Sequence, residues 1–270
     1  MNLFLPSRFD ERVSRLALGI EALDGPRGQR IAHPIQITFD DLPRGSRRPT
    51  VVRHDSCVFV LLYEPGVGAE VDLRLFDSTE RLWEARVDRR RFVPRRLRIP
   101  VLDAGVVDGR PYTERVRRPA LFPGAAYDVS ESTTGLRGRV ESAGQPVRWA
   151  RVQAIHPISA ATVGLAHCDD RGEFLLLIQP GAAPPGDLTD PLPLQLRVWT
   201  PKPPAAPVPD AVKAVDGLWD LPIEQAPDPG DPDPVCAGEP PWDNWDAGAG
   251  LTPVSFQLGR LMRQQPALIV

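Results

Sequence analysis

The sequence predicts an all-β protein built from two similar sandwich-type domains in tandem, the second carrying a proline-rich insertion. Three observations lead there. Short apolar segments with a period of two recur along the 270 residues, as half-buried strands do. The chain holds 32 prolines, where about 5% is usual, and proline is unwelcome inside helices. The two halves also repeat one succession of segments.

Residues 1–13 read as an arm whose Leu3, Phe4, Leu5 and Phe9 are apolar enough to seek a neighbour. A first domain spans 14–102. Leu16, Leu18 and Ile20 alternate, a turn follows at Asp24-Gly25-Pro26, and Ile35, Ile37 and Phe39 mark a second strand. Cys57-Val-Phe-Val-Leu-Leu-Tyr63 is apolar on both faces, as a central strand is. Val71, Leu73 and Leu75, then Leu82-Trp83, then Leu97, Ile99 and Val101 continue in strand style. Residues 103–133, broken by Pro111, Pro119 and Pro123, read as a linker. A second domain covers 134–270. It runs from Leu136, Gly138 and Val140 through Val147–Ile155, 161–168 and Glu173–Ile178 to Leu194, Leu196 and Val198. A Pro/Asp-rich insertion at 201–250 precedes a last strand, Thr252 to Leu258, and an extended tail.

The repeat is the sharpest signal. CVFVLLYEPG at 57–66 matches EFLLLIQPG at 173–181. VDLRLFD at 71–77 matches LQLRVWT at 194–200, and each is followed by a Leu-Trp pair beside an acid. A hairpin, a long buried strand, a Pro-Gly turn and a return strand recur in both halves, which two sandwiches in series satisfy.

The net charge of −3 is uneven. Residues 1–130 hold 22 Arg, no Lys and 18 acids; residues 131–270 hold 10 basic and 17 acidic groups, and 216–246 has nine acids and no base. Such a division either orients neighbouring copies through complementary fields or marks a solvated loop. The arginines of the basic half alternate with acids, which argues against nucleic-acid binding. Three cysteines without CxxC spacing give neither a disulfide framework nor a zinc site. The N-terminus lacks the pattern of a secretory signal, and no apolar run is long enough for a membrane span. Cytoplasmic synthesis is expected, with release by lysis as part of an assembled particle the other route out.

The stretch 135–181 resembles the carboxypeptidase regulatory-like domain, a transthyretin-like (broadly Ig-like) β-sandwich. The residues that carry this are Gly138-Arg139-Val140, Gly144-Gln145-Pro146-Val147, Ala150-Arg151-Val152, Thr162, Gly164, Ala166 and Asp170-Arg171-Gly172-Glu173-Phe174. The resemblance implies an accessory or adhesive module without catalytic residues, a tight Asp-Gly turn, and Phe174 in the core. More loosely, the layout resembles β-domain cap, adaptor or sheath-associated pieces of phage-tail-like contractile injection systems. There, arms and tails that add a strand to a neighbour's sheet lock subunits together.

Chemistry finds little purchase. No histidine has Glu three residues on, as a zinc carboxypeptidase needs. His167-Cys168-Asp169-Asp170 holds metal-binding types, but neighbours on a strand point to opposite faces. His54-Asp55-Ser56-Cys57 holds nucleophile types at adjacent positions, a poor constellation. No catalytic residue, metal or cofactor is therefore expected. The candidate partner-binding residues are Phe4 and Phe9 of the arm; Arg90, Arg91 and Arg95 of a basic hairpin, facing an acidic surface such as 216–246 of another copy; and Trp242 and Trp245 in the acidic loop. The expected partners are other protein subunits, in a homo-oligomeric ring or among tail and sheath proteins. The competing readings are a carbohydrate- or surface-binding module using Trp242 and Trp245, and a hydrolase with an unrecognised site.

Overall fold

Residues 14–40, 49–56, 58–64, 67–77, 90–179, 190–204, 207–239, 244–263 and 266–270 are described in the structure, a computed structural model. The chain opens with β1 (Leu16–Ile20) and β2 (Leu23–Asp24), turns back through β3 (Gln29–Arg30), and runs through β4 (Ile35–Phe39), β5 (Val51–Arg53), β6 (Phe59–Leu62), β7 (Glu70–Asp77) and β8 (Arg95–Pro100). Two short pieces, β9 (Val116–Arg117) and β10 (Ala120–Leu121), complete this first repeat. The order β5-β6-β1-β9 forms one sheet, and β8-β7-β4 lies in another. Leu18, Ile20, Phe59 and Leu61 from the first sheet share one apolar core with Ile35, Ile37, Leu73, Leu75, Leu97 and Ile99 from the second. This is the expected sandwich, and strict alternation along β7 and β8 is what sends those side chains inward.

The second repeat begins with β11 (Gly135–Ser142), turned back into β12 (Gln145–Pro146), and continues with β13 (Arg151–Ile155), β14 (Thr162–His167), β15 (Glu173–Ile178) and β16 (Leu192–Pro201). A short helix, α1 (Asp210–Val215), and β17 (Ile223–Gln225) follow; then come β18 (Trp245–Phe256), β19 (Leu261–Arg263) and β20 (Leu268–Ile269). The β11–β12 hairpin turns at Ala143 and Gly144, with φ of 49° and 74°, the positive pair a tight hairpin demands. Asp169 shapes the predicted Asp-Gly turn by accepting from the N–H groups of Arg171 and Glu173 at 2.8 and 3.0 Å. Gly172 takes a φ of 72°, and Phe174 reaches the core.

Strand pairing is the same in both repeats. The first strand lies antiparallel to the long buried strand, β1 on β6 and β11 on β15. Its far end makes a hairpin, β2 with β3 and β11 with β12. The second strand pairs with the return strand, β4 with β7 and β13 with β16, and the next strand adds on, β8 to β7 and β18 to β16. The last short strands then run parallel to the first, β9 and β10 on β1 and β2, β19 and β20 on β11. Six shared pairings, including the uncommon parallel return, make this a duplicated unit.

Three expectations need correction. The second unit is one curved, continuous sheet wrapped on its own core rather than two separate sheets. The reason is β14, which bonds to both β13 and β15, whereas the three-residue β5 in the equivalent place bonds to β6. Residues 103–133 are not simply a linker, because β9 and β10 are the closing strands of the first repeat. The tail does not leave to find a neighbour: β19 and β20 pair with β11 of the same chain, and Leu268 packs into its core.

The insertion is a strap. β17 runs parallel to β8 and extends the β4-β7-β8 sheet of the first repeat. Leu218 and Leu221 pack with Val93 of the first repeat and Trp149 of the second. Val235 packs with Ala120 and Phe122, against Leu165. Leu175 of β15 joins the first repeat's core. No helix among the described residues is long and apolar enough to cross a membrane.

Candidate functional site

The arginines expected to greet a partner are divided by the structure. Arg95 is completely buried. Its Nη1 donates to the carbonyl of Ala120 at 2.7 Å and to Asp233, and its Nε and Nη2 donate to Glu224 Oε2 at 3.1 and 2.6 Å. Glu224 also pairs with Arg151 of β13, itself buried, whose guanidinium lies 4.5 Å from the ring centre of Trp245. Burial works against the charge on Arg95, but Asp233 and Glu224 outweigh it and raise its pKa. For Arg151 burial prevails and the pKa falls. Burial would raise Asp233; the Arg95 charge, its hydrogen bond and the N–H groups of Ala120 and Val235 pull it below the usual carboxylate range. Arg90 is buried as well, against Asp169 and Asp170.

Arg90, Arg95 and Trp245 are therefore out of a partner's reach. Arg91 stays at the surface, 2.9 Å from Asp128. Phe4, Phe9 and Trp242 lie outside the described residues. The acidic segment does meet the basic strands, within one chain rather than between copies. Asp216 binds Arg74 at 2.7 Å, and Asp220 takes Arg148 at 2.6 and 2.8 Å together with the Trp149 indole N–H at 2.8 Å. The sugar-binding reading loses Trp245 to the interior.

The two other polar clusters of the sequence also scatter or stay local. His167 stacks on Phe122, with ring centres 4.0 Å apart, while Cys168 sits in the second core. Burial, reinforced by the charges of Arg151 and Arg95, holds His167 well below the ordinary imidazole value. His54 Nδ1 and Ser56 Oγ share a hydrogen bond of 2.9 Å at the surface.

That pair lies on the rim of a feature the sequence did not reveal. The outer face of the β5-β6-β1-β9 sheet holds a cleft of about 430 Å³. Leu16, Gly19, Val58, Val60 and Val116 line it; the three valines and Leu16 are half-buried side chains that belong to none of the apolar cores. Gly19 keeps the floor low, since a Cβ there would stand 3.2 Å from the Val116 side chain. Glu21 lies on the rim, held by Arg118 at 2.9 Å and by Arg30. Tyr112, 67% exposed, stands on the opposite side. An apolar floor, a polar rim and an exposed aromatic are the make-up of a protein-binding surface. Alternation groups Leu16 with the inward Leu18 and Ile20, and only the irregularity in pairing between Leu16 and Leu18 takes it out of that set, so no pattern in the sequence marked the cleft.

No family model matches the chain, and neither a curated protein nor a solved structure matches it.

Proposed function

We propose that this chain is a non-enzymatic adaptor that binds other protein subunits of a multi-protein particle, and that the cleft between Leu16 and Val116 is its docking surface. The observation that carries this is the apolar cleft on the outer face of the first repeat. The occupant is residues 1–13 of a second copy. That arm bears Leu3, Phe4, Leu5 and Phe9 followed by Asp10 and Glu11, apolar groups for the floor and acids for Arg30 and Arg118. Such head-to-tail contacts close into rings or grow into stacks. A tail-like contractile injection apparatus is the particle we favour, on the strength of the tandem sandwiches and the apolar arm. The second repeat is proposed as a relative of the carboxypeptidase regulatory-like domain, supported by the Asp-Gly turn and the inward Phe174.

Light scattering on the eluting chain tests the reading. The full chain should elute as an oligomer, and both deletion of 1–13 and Val60→Asp should return a monomer with an unchanged circular dichroism spectrum. A monomer in all three preparations refutes the reading, as does an oligomer that survives both changes.

A further inference from the structure

A second cleft, of about 410 Å³, lies on the other repeat, between its sheet and the connector at Gly124–Ala125. Its lining shares no residue with that of the first cleft. Its floor is basic for a reason set by register. Arg137 of β11 and Arg263 of β19 are direct partners across a parallel pair, and Arg139 lies two residues further along the same strand. Like charges placed opposite one another oppose strand pairing, and a guanidinium cannot shed its proton to relieve this.

Local acids do little to offset the pair. Asp169 accepts from the Arg171 and Glu173 N–H groups and pairs with Arg171 at 3.1 Å. Glu173 shares Arg171 at 3.5 Å, and Arg139 has Glu141 at 3.3 Å. Arg137 makes one bond, Nη1 to the carbonyl of Ala125 at 3.1 Å. Arg263 has no ion pair among the described residues. Burial, and then the charge of Arg263, lower the pKa of Arg137 although the charge of Glu173 opposes them, so the repulsion of the second cation is not fully offset.

We infer that this cleft binds a phosphomonoester, its phosphoryl group held between Arg137 and Arg263 and its organic body lying along the cleft towards Gly124 and Ala125. A phosphoryl group carries about −1.5 to −2 charges at neutral pH, which suits two facing guanidiniums, whose forked donors fit oxyanions in bidentate fashion. The volume exceeds what one bare phosphate fills and falls in the range of small-molecule sites, roughly 300–1,000 Å³.

The test is thermal unfolding of the full chain in phenyl phosphate, inorganic phosphate, or sodium chloride at matched ionic strength, with titration calorimetry for affinity. Phenyl phosphate should raise Tm above the chloride control and bind more tightly than inorganic phosphate. Arg263→Gln, at an exposed position, should raise Tm of the unliganded chain by removing repulsion and weaken phenyl phosphate at least tenfold. Arg110→Gln, remote from the cleft, should change neither. The inference is overturned if both phosphates act no differently from chloride, or if Arg263→Gln binds phenyl phosphate as the parent does. Inorganic phosphate binding as tightly as phenyl phosphate would remove the organic body and reduce the site to an adventitious ion only.

Discussion

Replacing Glu224 with Gln tests the strap directly. In the native chain one carboxylate serves two buried guanidiniums, Arg95 from the first repeat and Arg151 from the second. The amide keeps the shape and removes the charge. Arg95 retains Asp233. Arg151 retains the Trp245 ring and the longer-range charge of Asp233, and its Nη1 is already buried without a hydrogen bond. Breaking a buried pair from one side costs about 3–5 kcal/mol. With one of the two cations still paired, the middle of that range, about 4 kcal/mol, is expected. At roughly 2–4 °C per kcal/mol for a chain near this size, Tm should fall by roughly 8–16 °C. Because Glu224 joins both repeats, the single unfolding transition should also split in two when followed by scanning calorimetry. Arg151→Met added to Glu224→Gln should recover part of the loss, giving a coupling of about 1–3 kcal/mol. A fall in Tm below about 3 °C, or strictly additive effects, would refute the reasoning.

Acid should weaken the fold through His167. Its folded pKa lies below the ordinary 6.5, so the unfolded chain takes up the proton first. Stability is therefore whole above about pH 6.5 and declines as pH falls, by at most about 1.4 kcal/mol per unit for this group. Urea unfolding at pH 7, 6 and 5 should show a slope that His167→Leu flattens; an unchanged slope refutes this. Asp233, Glu21 and Asp72 have folded values below their ordinary ones, so their contribution persists down to about pH 4 and is lost below it. Gly172→Ala should destabilise by about 1–3 kcal/mol, since φ is 72° and the new Cβ would meet the backbone oxygen of Val140 at 2.7 Å. Chemical denaturation measures this, and a loss under about 0.5 kcal/mol would contradict the strained turn.

Much of this architecture was legible from residue alternation. The central strands β6 and β15, the return strands β7 and β16, and the Asp-Gly turn all followed from period-two patterns and turn residues. The repeat's closing strands did not, because β9 and β10 are two residues each and pair in parallel with strands a hundred residues earlier; no local periodicity records such a contact. Arg95 could have been placed correctly. It stands two residues before Leu97 and four before Ile99, so alternation points it inward with them, and an inward arginine requires buried acids. The run of basic residues around it obscured that sign. The cleft on the outer face of the first repeat was hidden for a different reason: Val58 and Val60 looked like members of a strand buried on both sides, and sequence alone does not tell a covered valine from one lining an open hollow.

The strap sets an order on biogenesis. Arg95 leaves the ribosome well before Glu224 and Asp233 exist, and synthesis at about 5–20 residues per second opens an interval on the order of ten seconds. Through that interval the nascent first repeat has an unfilled β8 edge and a cation with no counter-ion, so it cannot reach its final form. Maturation of the amino-terminal half must wait for the carboxy-terminal half to supply the missing strand. A stop codon or frameshift between residues 121 and 223 would then yield an exposed sheet edge, prone to association, in place of a smaller working protein.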